Sequence, residues 1–372
     1  EPKETRRKIK LKMAGTQMKP KHFSRGALTN PSNRFFQHEH EPLDEYLEWC
    51  RIEGEEPESD LTQLIPVHPK SIVNKVTSVD VGFEYSINPY QGCEHGCIYC
   101  YARNTHEYWG YSMGQDFERK VLYKAQGADL LRAAFNKKSW VPKMIMLSGN
   151  TDCYQPAERK LKLTRELLEV CLEYKHPVGI ITKNALLLRD LDLLEALNEL
   201  NLLRVTLSIT TLDEALRRNL EPRTSTAKQR LKALEILSEK GIPVNVNLAP
   251  IIPGLNSHEI VAILKAAGER GARSAAYIMV RLNGQISDLF EDWIAEIYPD
   301  RAAKVLNQIR ETHGGTLNDS EWNRRMKGEG PIAEQIKNMF DLAKKKYLVK
   351  SKPPPISTDL FFRPGEQYKL LV

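Results

Sequence analysis

The sequence contains no long hydrophobic run. Apolar stretches such as Val178–Ile181 are far shorter than the ~20 residues that a membrane-spanning helix needs. No signal peptide is recognisable at the start of the chain. We therefore expect no membrane segment and a cytoplasmic protein.

Cysteine is scarce, with six residues in a chain of 372. Because reducing compartments keep thiols free, we do not expect disulfide bonds. The hydrophobic content of 41% and the charged content of 27% are ordinary for a soluble globular protein. The length suits one large α/β domain with extensions, or two domains.

Three of the cysteines form a C-x-x-x-C-x-x-C pattern at Cys93, Cys97 and Cys100. Thiolates are the usual ligands of iron–sulfur clusters, and three on one tight loop can hold three irons of a cubane cluster. The loop has no fourth thiol. If no distant cysteine supplies one, the fourth iron stays open, as in metal sites that keep a position for substrate. The alternative is a zinc site with His95 as the fourth ligand, although the short loop makes a tetrahedron hard to close.

This spacing, with Tyr99 directly before the third cysteine, resembles the signature of the radical S-adenosylmethionine (radical SAM) superfamily. The resemblance covers roughly residues 80 to 285, and Thr182-Lys183-Asn184 and Glu221-Pro222-Arg223 are most similar to the branch that contains spore photoproduct lyase. It implies a [4Fe-4S] cluster whose open iron binds SAM, reductive cleavage of SAM to a 5′-deoxyadenosyl radical, and hydrogen abstraction from a substrate. It also implies a partner that supplies electrons, such as flavodoxin or ferredoxin.

From Val81 onward, predicted strands alternate with amphipathic helices, which indicates a parallel sheet. The strands are predicted at Val81–Ser86, Met144–Ser148, Val178–Thr182, Leu203–Ile209, Val244–Leu248 and Ala275–Val280. The helices between them are predicted at Glu158–Tyr174, Leu188–Leu200, Thr226–Lys240 and Ser257–Arg270. In the fourth strand, Val205 and Leu207 alternate with Thr206 and Ser208, so one face is polar. A polar face favours an open, partial (β/α)6 barrel over a doubly wound sheet, and the resemblance implies the same fold.

We divide the chain into an N-terminal extension (1–64), a radical SAM core domain (65–285) and a helical C-terminal appendix with an extended tail (286–372). The appendix helices are predicted at Leu289–Ile297, Arg301–His313 and Ile332–Tyr347, and a short helix is predicted at Leu43–Ile52.

The extension is unevenly charged, with ten Lys and Arg against three acids in residues 1–40 and one Arg against nine acids in residues 41–60. The basic arm, with Phe23, Phe35 and Phe36, can bind phosphates and stack bases, so nucleic acid is a candidate substrate. The alternatives are that the arm folds back on the acidic segment or docks on an acidic protein. The first 30 residues otherwise indicate irregular structure.

Chemistry in barrels of this kind gathers at the C-terminal ends of the strands. After the second strand, Ser148, Asn150 and Asp152 lie in a polar turn that can accept the cofactor ammonium, and Asn247 on the fifth strand suits ribose hydroxyls. The resemblance implies that Lys183 and Ser208 hold the cofactor carboxylate. It leaves Arg223 either beside them or in a helix-capping ion pair. Each residue can instead be an ordinary strand-end residue that satisfies backbone groups.

Two further stretches can border the active site. The loop Pro250–Asn256 is similar to the apolar loop that packs the adenine in the superfamily, or it is a plain turn into a helix. Tyr101, Tyr277 and Arg281 can face a substrate, although large aromatic residues at such places often only pack.

The leading hypothesis is a radical SAM enzyme with an unidentified substrate. Spore photoproduct lyase uses a cysteine after the second strand as hydrogen donor, but positions 147–151 have none, which argues against repair of a thymine photoproduct. Cys153 is an alternative donor. The second hypothesis is a non-catalytic iron–sulfur electron carrier or scaffold, which needs a fourth thiol from Cys50, Cys153 or Cys171.

Overall fold

The computed structural model describes residues 25–35, 61–322, 324–348 and 354–365. The described residues leave out residues 1–24 and 36–40 of the basic arm and the whole acidic segment 41–60, which contains the predicted helix Leu43–Ile52 and Cys50. No helix in the described ranges is long and apolar enough to span a membrane.

The described residues contain ten strands in two sheets. In chain order they are β1 (Gln63–Pro66), β2 (Val73–Lys75), β3 (Tyr85–Ile87), β4 (Tyr90–Gln91), β5 (Lys120–Tyr123), β6 (Ile145–Leu147), β7 (Val178–Thr182), β8 (Leu203–Ser208), β9 (Val244–Ile251) and β10 (Ser274–Met279).

The larger sheet has the order β10-β9-β8-β7-β6-β3-β2. Its strands from β3 to β10 pair in parallel, whereas β2 pairs with β3 in the antiparallel sense. All six predicted strands are present, and the predicted partial barrel is confirmed. The first strand begins later than predicted, because the Val76 N–H donates to the Glu84 carbonyl at 2.7 Å and residues 77–83 form the connection from β2.

The helices in the described residues are α1 (Asp116–Arg119), α2 (Gly127–Phe135), α3 (Glu158–Leu161), α4 (Leu163–Glu173), α5 (Leu191–Glu199), α6 (Glu214–Leu220), α7 (Ala227–Glu239), α8 (Ile260–Gly268), α9 (Ile286–Ile297), α10 (Pro299–Thr312) and α11 (Gly330–Tyr347). Three 3₁₀ segments add to these, at Tyr101–Trp109, Ala185–Asp190 and Ser257–Glu259.

Several helix boundaries differ from the sequence prediction for local reasons. The predicted helix Glu158–Tyr174 is broken at Lys162, whose φ of 55° is left-handed. Helices α10 and α11 begin earlier than predicted because each has a proline in its first turn, where the missing N–H costs nothing.

The strand faces follow the predicted alternation. Val205 and Leu207 of β8 are fully buried, whereas Thr206 between them is only partly buried. In β9, Val244 and Val246 are buried and Asn247 is partly buried. The apolar side chains pack against the surrounding helices, so polar side chains remain for the inside of the barrel.

A second, three-stranded sheet has the order β1-β5-β4 and was not predicted. Strand β4 has only two residues, too few to produce a periodic pattern. It ends directly before Gly92 and the cysteine loop, so this small sheet fixes where that loop begins.

The C-terminal helices pack on the barrel rather than apart from it. The ring of Phe340 in α11 lies 4.7 Å from the ring of Tyr277 in β10. Phe361, near the end of the chain, contacts the rings of Phe135 and Tyr174. The domain boundaries at 64 and 285 stay a prediction.

Candidate cluster and cofactor site

The three cysteines lie on a compact loop between β4 and the 3₁₀ segment Tyr101–Trp109. The Cys93 N–H donates to the Phe117 carbonyl at 2.7 Å, and the Cys100 N–H donates to the Cys97 carbonyl at 3.3 Å. Gly96 turns the chain with a φ of 68°, and a Cβ there would lie 2.9 Å from Glu118 Oε2. Glycine is therefore required between the first two cysteines.

Burial raises the pKa of all three thiols, that of Cys97 to about 12. Cys93 and Cys97 are buried and Cys100 is partly buried. Thiols in this setting stay protonated unless a cation draws off the proton, and metal ligands must be deprotonated. Three such thiols on one loop therefore fit a cluster of several metal ions that supplies its own positive charge, with each thiolate on a different ion.

The zinc alternative is disfavoured by the contacts of His95. Its Nδ1 lies 3.4 Å from Asp152 Oδ2, and its Nε2 lies 3.2 Å from Asn184 Nδ2. Both ring nitrogens therefore have neighbours other than a metal. Among the described residues, no three His, Cys, Asp or Glu side chains are arranged to hold one metal ion.

Asp152 connects the cysteine loop to the end of β7. Its Oδ2 accepts from the Lys183 N–H at 2.8 Å, and its Oδ1 accepts from the Thr182 hydroxyl at 2.7 Å. Burial raises the pKa of Asp152, but His95 and these hydrogen bonds outweigh it and lower the pKa to about 2. The carboxylate thus anchors the site, and a direct contact with the cofactor stays a prediction.

The side chain of Lys183 lies beside the cysteine loop. Its Nζ is 5.8 Å from the centre of the Tyr99 ring, and it makes no hydrogen bond to any described residue. Burial lowers the pKa of Lys183, but Cys97 and Glu221 outweigh this effect and raise it. The ammonium is therefore charged and available beside the cysteine loop.

Ser208 and Asn247 face each other across neighbouring strands as register partners of β8 and β9. Ser208 is buried, and the Oδ1 atom of Asn247 is buried with no hydrogen-bond partner among the described residues. A buried amide oxygen without a partner costs about 1–3 kcal/mol, so a ligand donor is expected there.

The other two residues of the predicted polar turn follow β6. Ser148 has a left-handed φ of 72°, and its hydroxyl accepts from the Cys153 N–H at 2.7 Å. The Asn150 amide donates to the Thr105 hydroxyl at 3.0 Å, which joins the turn to the segment after the cysteines. Both side chains shape the turn, and cofactor contacts from them stay predictions.

Arg223 forms an ion pair with the cysteine loop instead of the helix-capping ion pair, and its contact with the cofactor carboxylate stays a prediction. Its Nη2 lies 3.0 Å from Glu94 Oε1 on the cysteine loop, and its N–H donates to the His95 carbonyl at 3.2 Å. The ion pair therefore ties the Glu221-Pro222-Arg223 segment to the loop rather than capping a helix.

Comparisons with known proteins decide the family. The model of the radical SAM superfamily matches residues 87–267. An uncharacterised protein of Mycobacterium tuberculosis is 31% identical over 244 residues, which cover 65% of this chain and 72% of that protein. An uncharacterised protein of Methanocaldococcus jannaschii is 29% identical over 246 residues, covering 66% of this chain and 88% of that protein. The chain belongs to the radical SAM superfamily.

Solved structures show the same fold. Spore photoproduct lyase complexed with dinucleoside spore photoproduct superimposes with a TM-score of 0.56 at 14% identity, covering 82% of this chain and 91% of that chain. A mutant of the lyase with bound AdoMet and dinucleoside spore photoproduct gives a TM-score of 0.53 at 15% identity, with the same coverage. The predicted superfamily is confirmed, and the likeness to the lyase is one of fold.

Radical SAM enzymes use SAM and an iron–sulfur cluster, and the residues present fit both groups. The buried thiols suit the cluster, while Lys183 and the unpartnered Asn247 Oδ1 suit the charged and hydroxyl groups of SAM. The loop Pro250–Asn256 is held by Asn256, whose Oδ1 accepts from the Ile252 N–H at 2.6 Å. Its packing against adenine stays a prediction.

Glu221 is a residue whose role sequence reasoning missed. The Tyr99 hydroxyl and the Arg230 guanidinium each donate to its buried carboxylate at 2.5 Å. Burial raises the pKa of Glu221, but Arg230 and Lys183 outweigh this and lower it. The carboxylate thus orients the aromatic residue of the cysteine motif. The only signal in the sequence was the tripeptide Glu221-Pro222-Arg223, which indicated the family resemblance but no role for Glu221.

We call the segment 25–35 the strap. Irregular structure was predicted for its residues 25–30, and the strap has no helix or strand but lies against the cysteine loop. The Gly26 and Ala27 N–H groups donate to the two oxygens of the Glu118 carboxylate at 2.9 and 2.8 Å. Glu118 also accepts from Arg103 Nη2 at 2.5 Å. At the other end of the strap, the Arg34 Nε donates to Glu107 Oε2 at 2.8 Å. The strap therefore belongs to the site and not to a free arm.

The remaining described thiols are not part of the site. Cys153 and Cys171 are both fully buried in the main hydrophobic core. Burial raises the pKa of both thiols. Because Cys153 packs among core side chains, this structure does not support it as a hydrogen donor to a substrate in the barrel.

Proposed function

We propose that this chain is a radical SAM enzyme in which Cys93, Cys97 and Cys100 hold a [4Fe-4S] cluster and Lys183, Ser208 and Asn247 hold SAM. When bound, these groups supply reductive cleavage of SAM to a 5′-deoxyadenosyl radical, which abstracts hydrogen from a substrate. The chain's own residues bind the groups, orient them and limit the access of water.

The observation that carries the proposal is the Lys183 ammonium beside the buried cysteine loop. It is charged, lies over the Tyr99 ring and has no hydrogen bond within the described ranges. A partly buried cation without such a partner is unfavourable, so a ligand carboxylate is expected there. The carboxylate of the methionine part of SAM fits that requirement.

The residues around Lys183 would keep it in position. Asp152 accepts from its backbone N–H, and Glu221 lies within electrostatic reach of its side chain. Ser148, Asn150, Asp152 and Arg223 would support the cofactor mainly through the loops that they fasten. Direct contacts between these four residues and SAM are also part of the proposal.

A non-catalytic electron carrier is the competing function. It would need a fourth protein ligand for the cluster. Cys153 and Cys171 are buried in the hydrophobic core, and Cys50 lies outside the described residues. The fully buried positions of the two described thiols favour the enzyme over the carrier.

The enzyme would take electrons from a reductant such as flavodoxin or ferredoxin. Its substrate is unidentified, and nucleic acid is a candidate because residues 1–24 hold eight Lys and Arg against two acids. The absence of a cysteine at positions 147–151 and the burial of Cys153 argue against a thiol donor like that inferred for the lyase.

The test uses full-length protein reconstituted anaerobically with iron and sulfide. SAM binding is measured by calorimetry, and 5′-deoxyadenosine is measured after reduction by dithionite or reduced flavodoxin. The enzyme should bind SAM and release 5′-deoxyadenosine only when reduced. A protein that carries a cluster but neither binds nor cleaves SAM would be an electron carrier.

A further inference from the structure

Arg281 lies two residues after β10 ends at Met279. The stretch that contains it contacts the segment that starts directly after Cys100, because the Asn104 amide donates to the Asn283 carbonyl at 2.9 Å. The Tyr101 hydroxyl donates to the Gly149 carbonyl at 2.7 Å, at the end of β6. Arg281 therefore lies at the C-terminal edge of the barrel, where substrates of such barrels bind.

The guanidinium of Arg281 has no carboxylate partner among the described residues. Its Nη1 lies 3.6 Å from the Met326 sulfur, a weak acceptor, and its Nε is buried without a hydrogen bond. Burial and then Arg325 lower the pKa of Arg281, and together they outweigh the opposing effects of Asp80 and Asp319. The described residues therefore disfavour the charged form of this side chain on balance.

The carboxylates near Arg281 are already engaged by other arginines. Arg325 Nε lies 2.5 Å from Asp80 Oδ2, and Arg324 Nε lies 2.5 Å from Asp319 Oδ2. Both aspartates have side chains at most 3% exposed. Asp80 and Asp319 raise the pKa of Arg281 but form no ion pair with it among the described residues, so its guanidinium remains available to a ligand.

Two unpartnered acceptors lie on this stretch and on the segment that is hydrogen-bonded to it. Residues three apart share a face of a 3₁₀ segment, so Asn104 projects on the same side as Tyr101. The Asn104 amide donates to the Asn283 carbonyl at 2.9 Å, while the side-chain oxygens of both residues are buried without a described partner. A ligand bound here would find the N–H donors of the Arg281 guanidinium and the side-chain oxygens of Asn104 and Asn283 as acceptors.

We propose that Arg281, with Asn104 and Asn283, forms a subsite that binds an oxyanion of the substrate flanked by N–H or O–H donors. Phosphate and carboxylate share this chemistry, because a guanidinium binds either group through paired hydrogen bonds. The inference rests on the proposed function only in calling this ligand a substrate.

The test measures how fast phenylglyoxal modifies Arg281 in the reconstituted full-length protein, by peptide mass spectrometry, in rising concentrations of inorganic phosphate or acetate at constant ionic strength. Arg218, which is exposed and paired with Glu214, is the internal control. We expect saturable protection of Arg281 by at least one ion and none of Arg218. The ion that protects at the lower concentration identifies the source of the oxyanion.

Met326 provides a matched pair of variants. Met326→Glu would place a carboxylate next to the guanidinium in nearly the same volume, whereas Met326→Gln adds no charge. We expect Met326→Glu to raise the concentration for half-protection about tenfold, the equivalent of one charge-assisted contact, and Met326→Gln to leave it near the wild-type value.

Two results would overturn the subsite. One is modification of Arg281 at the same rate with and without both ions. The other is protection by SAM alone, which would assign Arg281 to the cofactor. Neither depends on SAM cleavage, so failure of the subsite and failure of the proposed enzyme activity are separate outcomes.

Discussion

Gly26 and Gly96 approach each other so closely that a Cβ added at Gly26 would lie 1.7 Å from the Gly96 carbonyl oxygen. Through this contact, the strap packs directly on the turn between Cys93 and Cys97. Because that distance is far below any van der Waals contact, either the strap or the cysteine loop must move when a side chain is introduced.

We predict that Gly26→Ala lowers the iron content of the reconstituted protein and destabilises it by about 1–3 kcal/mol, the usual range for overpacking. The matched control is Gly82→Ala, since Gly82 is exposed and a Cβ there meets nothing within 4 Å. Iron analysis and thermal unfolding check both variants. Equal iron content in the two variants would show that the strap does not position the loop.

Lys183→Ala should weaken SAM binding by about one to two powers of ten, since a charge-assisted hydrogen bond contributes ~1.5–3 kcal/mol. The cluster should remain, because Lys183 is not one of its ligands. Lys228→Ala, an exposed lysine on α7, should bind SAM like the wild type. Titration calorimetry with SAM measures the difference, and wild-type affinity in Lys183→Ala would remove Lys183 from the cofactor site.

His176 predicts a pH dependence of stability that is independent of the site. Its ring stacks on Phe135 at 4.2 Å, and its Nε2 accepts from Trp140 Nε1 at 3.3 Å. Burial lowers its pKa from 6.5 to about 3, an effect larger than the opposing hydrogen bond to Pro177. The native state therefore holds this ring neutral where the unfolded chain would protonate it.

A lowered folded pKa means that the stabilisation is complete above pH 6.5 and is lost as the pH falls toward 3. Between pH 7 and pH 5 the contribution lost is about 2 kcal/mol. Denaturant unfolding at pH 7 and at pH 5 measures this loss in the free energy of unfolding. The variant His176→Phe should remove this part of the pH dependence. An unchanged dependence in that variant would contradict the assignment.

A test of nucleic-acid binding by the basic arm must leave the strap intact. Deletion of residues 1–24 removes Lys8, Lys10, Lys12, Lys19 and Lys21 but keeps Gly26 and Arg34. If the arm contacts phosphates, affinity for mixed-sequence single- or double-stranded DNA or RNA should fall steeply with salt, and deletion should flatten that slope by roughly 0.7–0.9 per lost contact. No binding by the intact chain at low salt would exclude this role.

Local sequence pattern was enough to predict the cysteine loop, the six parallel strands and the alternation in β8. These features repeat at short spacing, so they are visible in a single sequence. The contacts that complete the site are different. Tyr99 meets Glu221 and His95 meets Asp152 across long stretches of chain, and only the tertiary fold brings them together.

The strap was missed for the same reason. Residues 25–31 contain glycine, asparagine and proline, which are typical of turns, and nothing local distinguishes a docked turn from a free one. The partner carboxylate, Glu118, lies more than 90 positions away in the chain. Because the strap follows the basic arm directly in the chain, it was simpler to interpret the strap as part of that arm.

The most direct test of the account replaces Cys93, Cys97 and Cys100 one at a time by alanine in anaerobically reconstituted protein, with Cys171→Ala as the thiol control. Each thiolate would anchor a different iron, so each of the three variants should lose the four-iron electron paramagnetic resonance signal of the reduced protein and stop releasing 5′-deoxyadenosine from SAM. Cys171→Ala should retain both, because that thiol is buried in the core. Release of 5′-deoxyadenosine at the wild-type rate by all three single variants would contradict the assignment of the cluster to this loop.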